Sequence, residues 1–151
     1  MSGSSTGSTK GACVLDASAV LALLQAEPGH AVVQAHVERG NCCMSSVNVT
    51  EVLTRLIDRG MSPEDAEAAL DALEIEVIGF DGVAARAAAA LRVTTRAQGL
   101  SIGDRACLAV AALRKSVAVT ADRAWKDVNC GVRVELILRR LNVKKRLHAS
   151  T

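Results

Sequence analysis

The feature that most constrains this chain is a series of short, mostly apolar runs at residues 12–15, 42–44, 75–78, 117–120 and 132–138, separated by longer stretches whose apolar residues recur at helical spacing. Few of these runs are joined by turns of hairpin length. An antiparallel sheet with one wet face needs strict alternation and tight turns, whereas a sheet buried on both faces tolerates unpatterned apolar strands linked through helices. The pattern therefore predicts a parallel α/β sheet covered on both faces.

The intervening helices carry their own start and stop signals. Residues 17–27 repeat apolar side chains until Pro28, 29–39 close on Gly40, and 46–59 place Val49, Val52, Leu53, Leu56 and Ile57 on one side before Gly60. Ser62, Pro63 and Asp65 spell an N-cap, a first-turn proline and a capping-box acid for a helix reaching residue 73. Asp81 caps an alanine-rich stretch expected to run as one helix to about residue 98, where Gly99 ends it, and residues 102–114 form the last long helix.

At 151 residues the chain has room for one hydrophobic core, with a small polar segment at 1–10 expected to be disordered, a folded domain at 11–138 and a basic tail at 139–151. Arg139, Arg140, Lys144, Lys145 and Arg146 read as a solvated helical tail in preference to a phosphate-contacting patch. The formal net charge of +2 does not advertise a nucleic-acid binder, and with Phe80 and Trp125 as the only Phe, Tyr or Trp residues no base-stacking platform can be built. The cysteines Cys13, Cys42, Cys43, Cys107 and Cys130 are odd in number and lack a C-x-x-C pair, which suits reduced core thiols of a cytoplasmic protein. No signal peptide is visible, and the first apolar stretch carries Asp16, so no membrane partner is expected.

In an open parallel sheet, ligands bind outside the carboxyl ends of the strands. Asp16 directly follows the first strand, Asp122 lies just beyond the fourth, Glu51 sits early in the helix after the second, and Asp104 lies in the first turn of its helix. Taken singly, three of them have local explanations: Asp104 completes an S-x-x-D capping box with Ser101, Asp122 can cap the turn before Trp125, and Glu51 can be an exposed helix residue. Asp16 is different, because an unpaired charge between two apolar runs demands compensation. Four carboxylates at one end of a sheet, with no histidine near them in sequence, select a hard divalent cation, Mg²⁺ or Mn²⁺, over zinc. Such a crevice suits phosphodiester hydrolysis by cation-activated water and needs no serine, cysteine or histidine nucleophile.

The segments V-L-D-A-S-A-V at 14–20, N-V-T-E-V-L at 48–53, L-S-I-G-D-R-A-C-L-A at 100–109 and V-T-A-D-R-A-W at 119–125 resemble, in order, the four acidic motifs of the PIN domain, and more narrowly those of the toxins of bacterial VapBC toxin–antitoxin pairs. The resemblance spans residues 12 to about 138. It implies a three-layer α/β/α PIN-like domain with a central, mostly parallel sheet. It also implies a metal-dependent endoribonuclease, usually a homodimer, held inactive by an antitoxin encoded beside it. Carried over by position, Asp16, Glu51, Asp104 and Asp122 are the catalytic and metal-binding quartet, and Ser18 and Thr120 are supporting hydroxyls. Asn48 is read as a helix cap, and Trp125, often Phe in the family, as core.

Arg105 and Arg123 each follow a proposed ligand and can reach RNA phosphate or shield the acids. His30 and His36 fall on different faces of a helix and His148 lies in the tail, so surface or core roles are expected for all three. Asp58, Asp65, Asp71, Glu74 and Asp127 have no strand-end position and serve as control acids. Two rival functions remain: a PIN-like nuclease of RNA maturation or decay without an antitoxin, and a non-catalytic acidic-pocket or phosphate-receiving module. The presence of all four acids and the absence of a lysine after the late strand weigh against the second.

Overall fold

The structure, a computed structural model, describes residues 12–138. The N-terminal segment 1–10, the basic tail 139–151 and His148 lie outside the described residues.

Five short strands form one sheet: β1 (Cys13–Leu15), β2 (Cys42–Ser45), β3 (Glu76–Ile78), β4 (Val117–Thr120) and β5 (Val134–Leu136). Their spatial order is β3-β2-β1-β4-β5, and every neighbouring pair is parallel. Between them run α1 (Ala17–Leu24), α2 (His30–Glu38), α3 (Ser46–Asp58), α4 (Pro63–Asp71), α5 (Gly82–Ala90), α6 (Arg92–Thr95) and α7 (Ile102–Arg114). Successive strand residues serve opposite faces, as the pleat requires. Cys13, Leu15, Met44 and Val119 join Val20, Val33, Val52 and Leu56 in one core layer. Val14, Cys43 and Ala118 join Cys107, Leu108, Val110 and Trp125 in the other. Helices thus cover both faces, and the expected α/β/α sandwich with a parallel sheet is what forms.

The helix starts follow the local chemistry. Ser62 accepts a hydrogen bond from the Asp65 N–H at 3.1 Å, Asp81 caps α5 through the Ala84 N–H at 2.9 Å, and Ser101 with Asp104 makes a full reciprocal capping box on α7. The helix expected over 81–98 is segmented. It stops at Ala90, resumes as α6 and finishes as a 3₁₀ turn at Arg96–Gln98. Thr95 sends its hydroxyl back to the Leu91 carbonyl at 2.7 Å, and Arg105 takes the Ala88 carbonyl at 3.0 Å, so side chains capture acceptors at the end of the alanine run. The last strand is also shorter than the apolar run 132–138 suggests, because pairing with β4 spans only Val134–Leu136.

All five cysteines are free thiols, four of them buried, and the Cys13 and Cys42 sulfurs lie 3.1 Å apart across the β1–β2 pair. No helix among the described residues is long and apolar enough to cross a membrane.

The strand order decides where a ligand can enter. From β1 the chain moves outward to β2 and β3, then returns to β4 on the other side of β1 and continues to β5. The order of connection therefore reverses between β1 and β4 while the strands stay parallel, and the chain leaves the two strands toward opposite core layers, the place where open parallel sheets bind ligands in a crevice at the strands' carboxyl ends.

Candidate functional site

Asp16 is the first residue past β1 and sits at that reversal. The parallel register sets Leu15 beside Val119, and the Asp16 N–H extends the ladder to the Val119 carbonyl at 3.1 Å. Thr120 consequently emerges next to Asp16. Its hydroxyl donates to Asp16 Oδ2 at 2.5 Å, the Ser18 hydroxyl donates to Oδ1 at 2.8 Å, and the Ala19 N–H caps Oδ1 at 2.8 Å. Both hydroxyls also accept backbone bonds from the turn after β4: Ser18 from the Ala121 N–H at 2.9 Å and Thr120 from the Asp122 N–H at 3.0 Å. The expected supporting hydroxyls are thus in direct contact with Asp16.

Asp16 is almost wholly buried, at 3% exposure, and its carboxyl is pushed up to about 6. Burial is the main cause. The bonds from Thr120, Ala19 and Ser18 oppose it, and the negative charge of Asp104 adds to it. Desolvation outweighs carboxylate repulsion here, so the isolated site is costly chiefly because a charge has left water.

Asp104 and Glu51 approach from α7 and α3, which pack against each other. Asp104 is half-buried and Oδ2 accepts the Ser101 N–H at 2.9 Å, so the capping box and proximity to Asp16 coexist in one side chain. Glu51 is turned back from an otherwise exposed position: a Cβ placed on Gly103 would lie within 2.3–2.5 Å of its carboxylate atoms. Asn48 holds the same carboxylate, donating through Nδ2 to Glu51 Oε1 at 2.8 Å and to the Gly103 carbonyl at 3.1 Å. The Cys107 thiol, buried one turn along α7, registers the gathering. Burial pushes it well up, and Asp16, Cys43, Asp104 and Glu51 all add to that push.

Asp122 is exposed, and its Oδ1 caps the 3₁₀ turn Arg123–Asp127 through the Ala124 N–H at 2.9 Å. It is tied to Asp16 through Thr120, whose hydroxyl joins its N–H to the Asp16 carboxylate. Among the described residues, no group of three or more His, Cys, Asp or Glu side chains converges closely enough to hold a metal ion. The acids share one end of the sheet without forming a closed cage.

Several neighbouring residues have resolved roles. Asn48 is not a cap: Ser45 caps α3 through the Val47 N–H, and Asn48 is buried at 1% exposure between α3 and α7. An Asn one turn before Glu51 gave a local signal, but its partner Gly103 lies 55 positions away and carried none. Arg105 is committed to the Ala88 carbonyl and joins α7 to α5, whereas Arg123 is exposed beside Asp122. Trp125 is fully buried in the second core layer. His36 bonds Glu135 at 2.8 Å and Arg39 at 3.0 Å, and His30 bonds the Glu27 carbonyl at 3.0 Å, which are structural roles.

The family model described as PIN domain matches residues 13–129. No curated protein matches the chain in sequence. Among solved structures, a chain of the DNA-bound VapBC of Salmonella typhimurium is 21% identical with a TM-score of 0.68, over 84% of this chain and 98% of that one. A chain of VapBC2 from Rickettsia felis, bound to a promoter DNA fragment, is 18% identical with a TM-score of 0.64, over 82% and 97%. A chain of VapBC-5 from Mycobacterium tuberculosis, a member of the VapBC family of toxin–antitoxin systems, is 26% identical with a TM-score of 0.55, over 85% and 99%.

Proposed function

The chain belongs to the PIN domain family, and on that premise we propose that it is a divalent-cation-dependent endoribonuclease, the toxin half of a toxin–antitoxin pair. The observation that carries the reading is Asp16: a carboxylate buried at the point where the order of connection reverses, held by two hydroxyls and a backbone N–H, with Asp104 close enough to perturb it. Such a charge invites a cation, and the donors at hand are all carboxylate oxygens, the set preferred by Mg²⁺ or Mn²⁺.

Asp16, Glu51, Asp104 and Asp122 would hold the cation. When bound, it would polarise a phosphoryl oxygen and lower the pKa of water enough to make a nucleophile near neutral pH. The chain's own groups do the rest. Ser18 and Thr120 fix the Asp16 carboxylate, which keeps its oxygens oriented without thermal search. Glu51 and Asp122 are the more exposed of the four acids, and one of them would take the proton released as water attacks phosphorus. Arg123, exposed and next in sequence to Asp122, would hold a neighbouring phosphate of the RNA, offsetting the repulsion between the acids and the backbone.

The partner follows from the same charge. An antitoxin segment that presents arginine to these carboxylates would match them in charge and in planar geometry. The VapBC likenesses in fold support that partner, and a homodimer belongs to the same reading. Co-purification with a small protein, and protection of the crevice in hydrogen exchange, are expected. Protection confined to the opposite end of the sheet rejects the partner, and light scattering reports the oligomer.

The decisive experiment is cleavage of RNA by the purified chain with Mg²⁺ or Mn²⁺ and with chelator. Asp16→Ala, Glu51→Ala, Asp104→Ala and Asp122→Ala should each lower the rate by ~100-fold or more, while Asp58→Ala should not. Equal rates for Asp104→Ala and Asp58→Ala overturn the assignment.

A further inference from the structure

We propose that Asn48 and Gly103 form a clamp that fixes the Glu51 carboxylate in its cation-binding position, making both of them positioning residues of the site. The inference rests on the reading of Glu51 as a ligand and adds residues that the acidic pattern does not contain.

Three observations carry it. The Glu51 carboxylate occupies the space that a side chain at position 103 would fill, so the seat exists only because residue 103 is glycine. Gly103 lies inside the first turn of α7, beside Asp104, with Ser101 as N-cap. A helix interior disfavours glycine relative to alanine, so local stability gives no reason for it there. Asn48, fully buried, bridges the seat by donating to Glu51 Oε1 and to the Gly103 carbonyl.

The third observation is what the arrangement leaves undone. Asn48 Oδ1 is buried without a hydrogen-bond partner. Turning the amide over would aim Oδ1 at a carboxylate and a carbonyl, both acceptors, so the orientation is dictated by Glu51 and Gly103. A buried amide that serves its donor side while its acceptor stays unmatched is not what stability alone favours. Positioning an anion is what it accomplishes: a long, flexible glutamate on a helix surface is reduced to one geometry against Gly103, the residue before Asp104.

The two variants have opposite expectations for fold and function. In Gly103→Ala, the nearest atoms to the new Cβ are all at the far end of the flexible Glu51 side chain, so Glu51 swings away and the helix gains a better helix former. Its melting temperature without divalent ion should equal or exceed the parent's, while Mn²⁺ binding, measured by isothermal titration calorimetry on the full chain, weakens by ~10–100-fold. Cleavage of a single-stranded RNA oligonucleotide should lose kcat with little change in KM. Asn48→Ala should show the same loss of Mn²⁺ binding, and Gly103→Ala alone decides the matter if Asn48→Ala fails to fold.

A double-mutant comparison separates positioning from general structure. In a Glu51→Gln background neither substitution should weaken Mn²⁺ further, because the clamp acts through Glu51 alone. Parent-like Mn²⁺ binding in Gly103→Ala, or losses that multiply with Glu51→Gln, overturns the clamp while leaving Glu51 a ligand. If Glu51→Gln itself binds Mn²⁺ and cuts RNA like the parent, the ligand reading of Glu51 fails, and the clamp fails with it.

Discussion

The Thr120 hydroxyl donates to Asp16 Oδ2 at 2.5 Å although 104 positions separate the two residues in the chain. The contact follows from register: pairing Leu15 with Val119 makes the next residue of each strand a neighbour at the mouth of the crevice. It also sets the charge state of the site, since each hydroxyl bond to Asp16 favours the ionised carboxyl against the pull of burial.

Removing that hydroxyl should therefore cost most when Asp16 is charged. Thr120→Val keeps the buried shape but deprives both the carboxylate and the Asp122 N–H of a partner. The expected loss is about 1.5–3 kcal/mol of unfolding free energy above pH ~6, shrinking at lower pH, with Thr120→Ser restoring most of it. Urea titrations on either side of that pH check both the size and its pH dependence.

The Asp16 carboxyl also fixes a slope of stability with pH. Its folded value of about 6 stands above the ordinary 3.8, so the folded chain binds the proton more tightly than the unfolded chain. Between those two values the stability of the cation-free protein should fall as pH rises, by about 3 kcal/mol in total from this group, and level off above pH ~6. Asp16→Asn should flatten the slope and melt higher than the parent in chelator at neutral pH while abolishing cleavage. Mg²⁺ should stabilise the parent more than the variant. A variant that melts lower in chelator, with Mg²⁺ shifting both alike, makes Asp16 a structural acceptor only.

The two arginines that follow proposed ligands should separate cleanly. Arg105→Ala breaks the link from α7 to the Ala88 carbonyl and should lower unfolding free energy by about 1–3 kcal/mol. Arg123→Ala should leave melting unchanged, weaken RNA binding, and reduce the salt dependence of log K by roughly one phosphate contact. Equal salt slopes for parent and Arg123→Ala would remove Arg123 from the RNA path.

A side chain at Gly29 should be costly. Its φ is +90°, and a Cβ there would stand 2.8 Å from Ile137 Cγ1 and 2.9 Å from the Ile137 carbonyl oxygen. Gly29→Ala should cost about 1–3 kcal/mol, more than Gly40→Ala, where φ is also positive but the space is open. Thermal melting of the two variants ranks them.

Much of this architecture was legible because it is written in local chemistry. Ser62 with Pro63, Asp81, and Ser101 with Asp104 announce helix starts through bonds three residues long, and the buried strands announce themselves by apolar content. The acids at strand ends were legible for the same reason. Local signals misled where they competed: the alanine run promised one helix to about residue 98, and the hydroxyls of Thr94 and Thr95 returning to the Leu91 carbonyl mark where it breaks up. Asn48, read from its position as a cap, proved to serve a glycine on another helix.

The sequence by itself determined the succession of strands and helices and which acids stand beyond strand ends, since both depend on neighbours within a few residues. Only the tertiary structure decided that the order of connection reverses between β1 and β4, that Thr120 meets Asp16, and that Glu51 rests on Gly103. Those relations join residues 52 to 104 positions apart and exist only once strand order and helix packing have removed the intervening freedom of the chain. The perturbed acidity of Asp16 belongs with them, because burial is its main cause and burial is a property of the assembled layers.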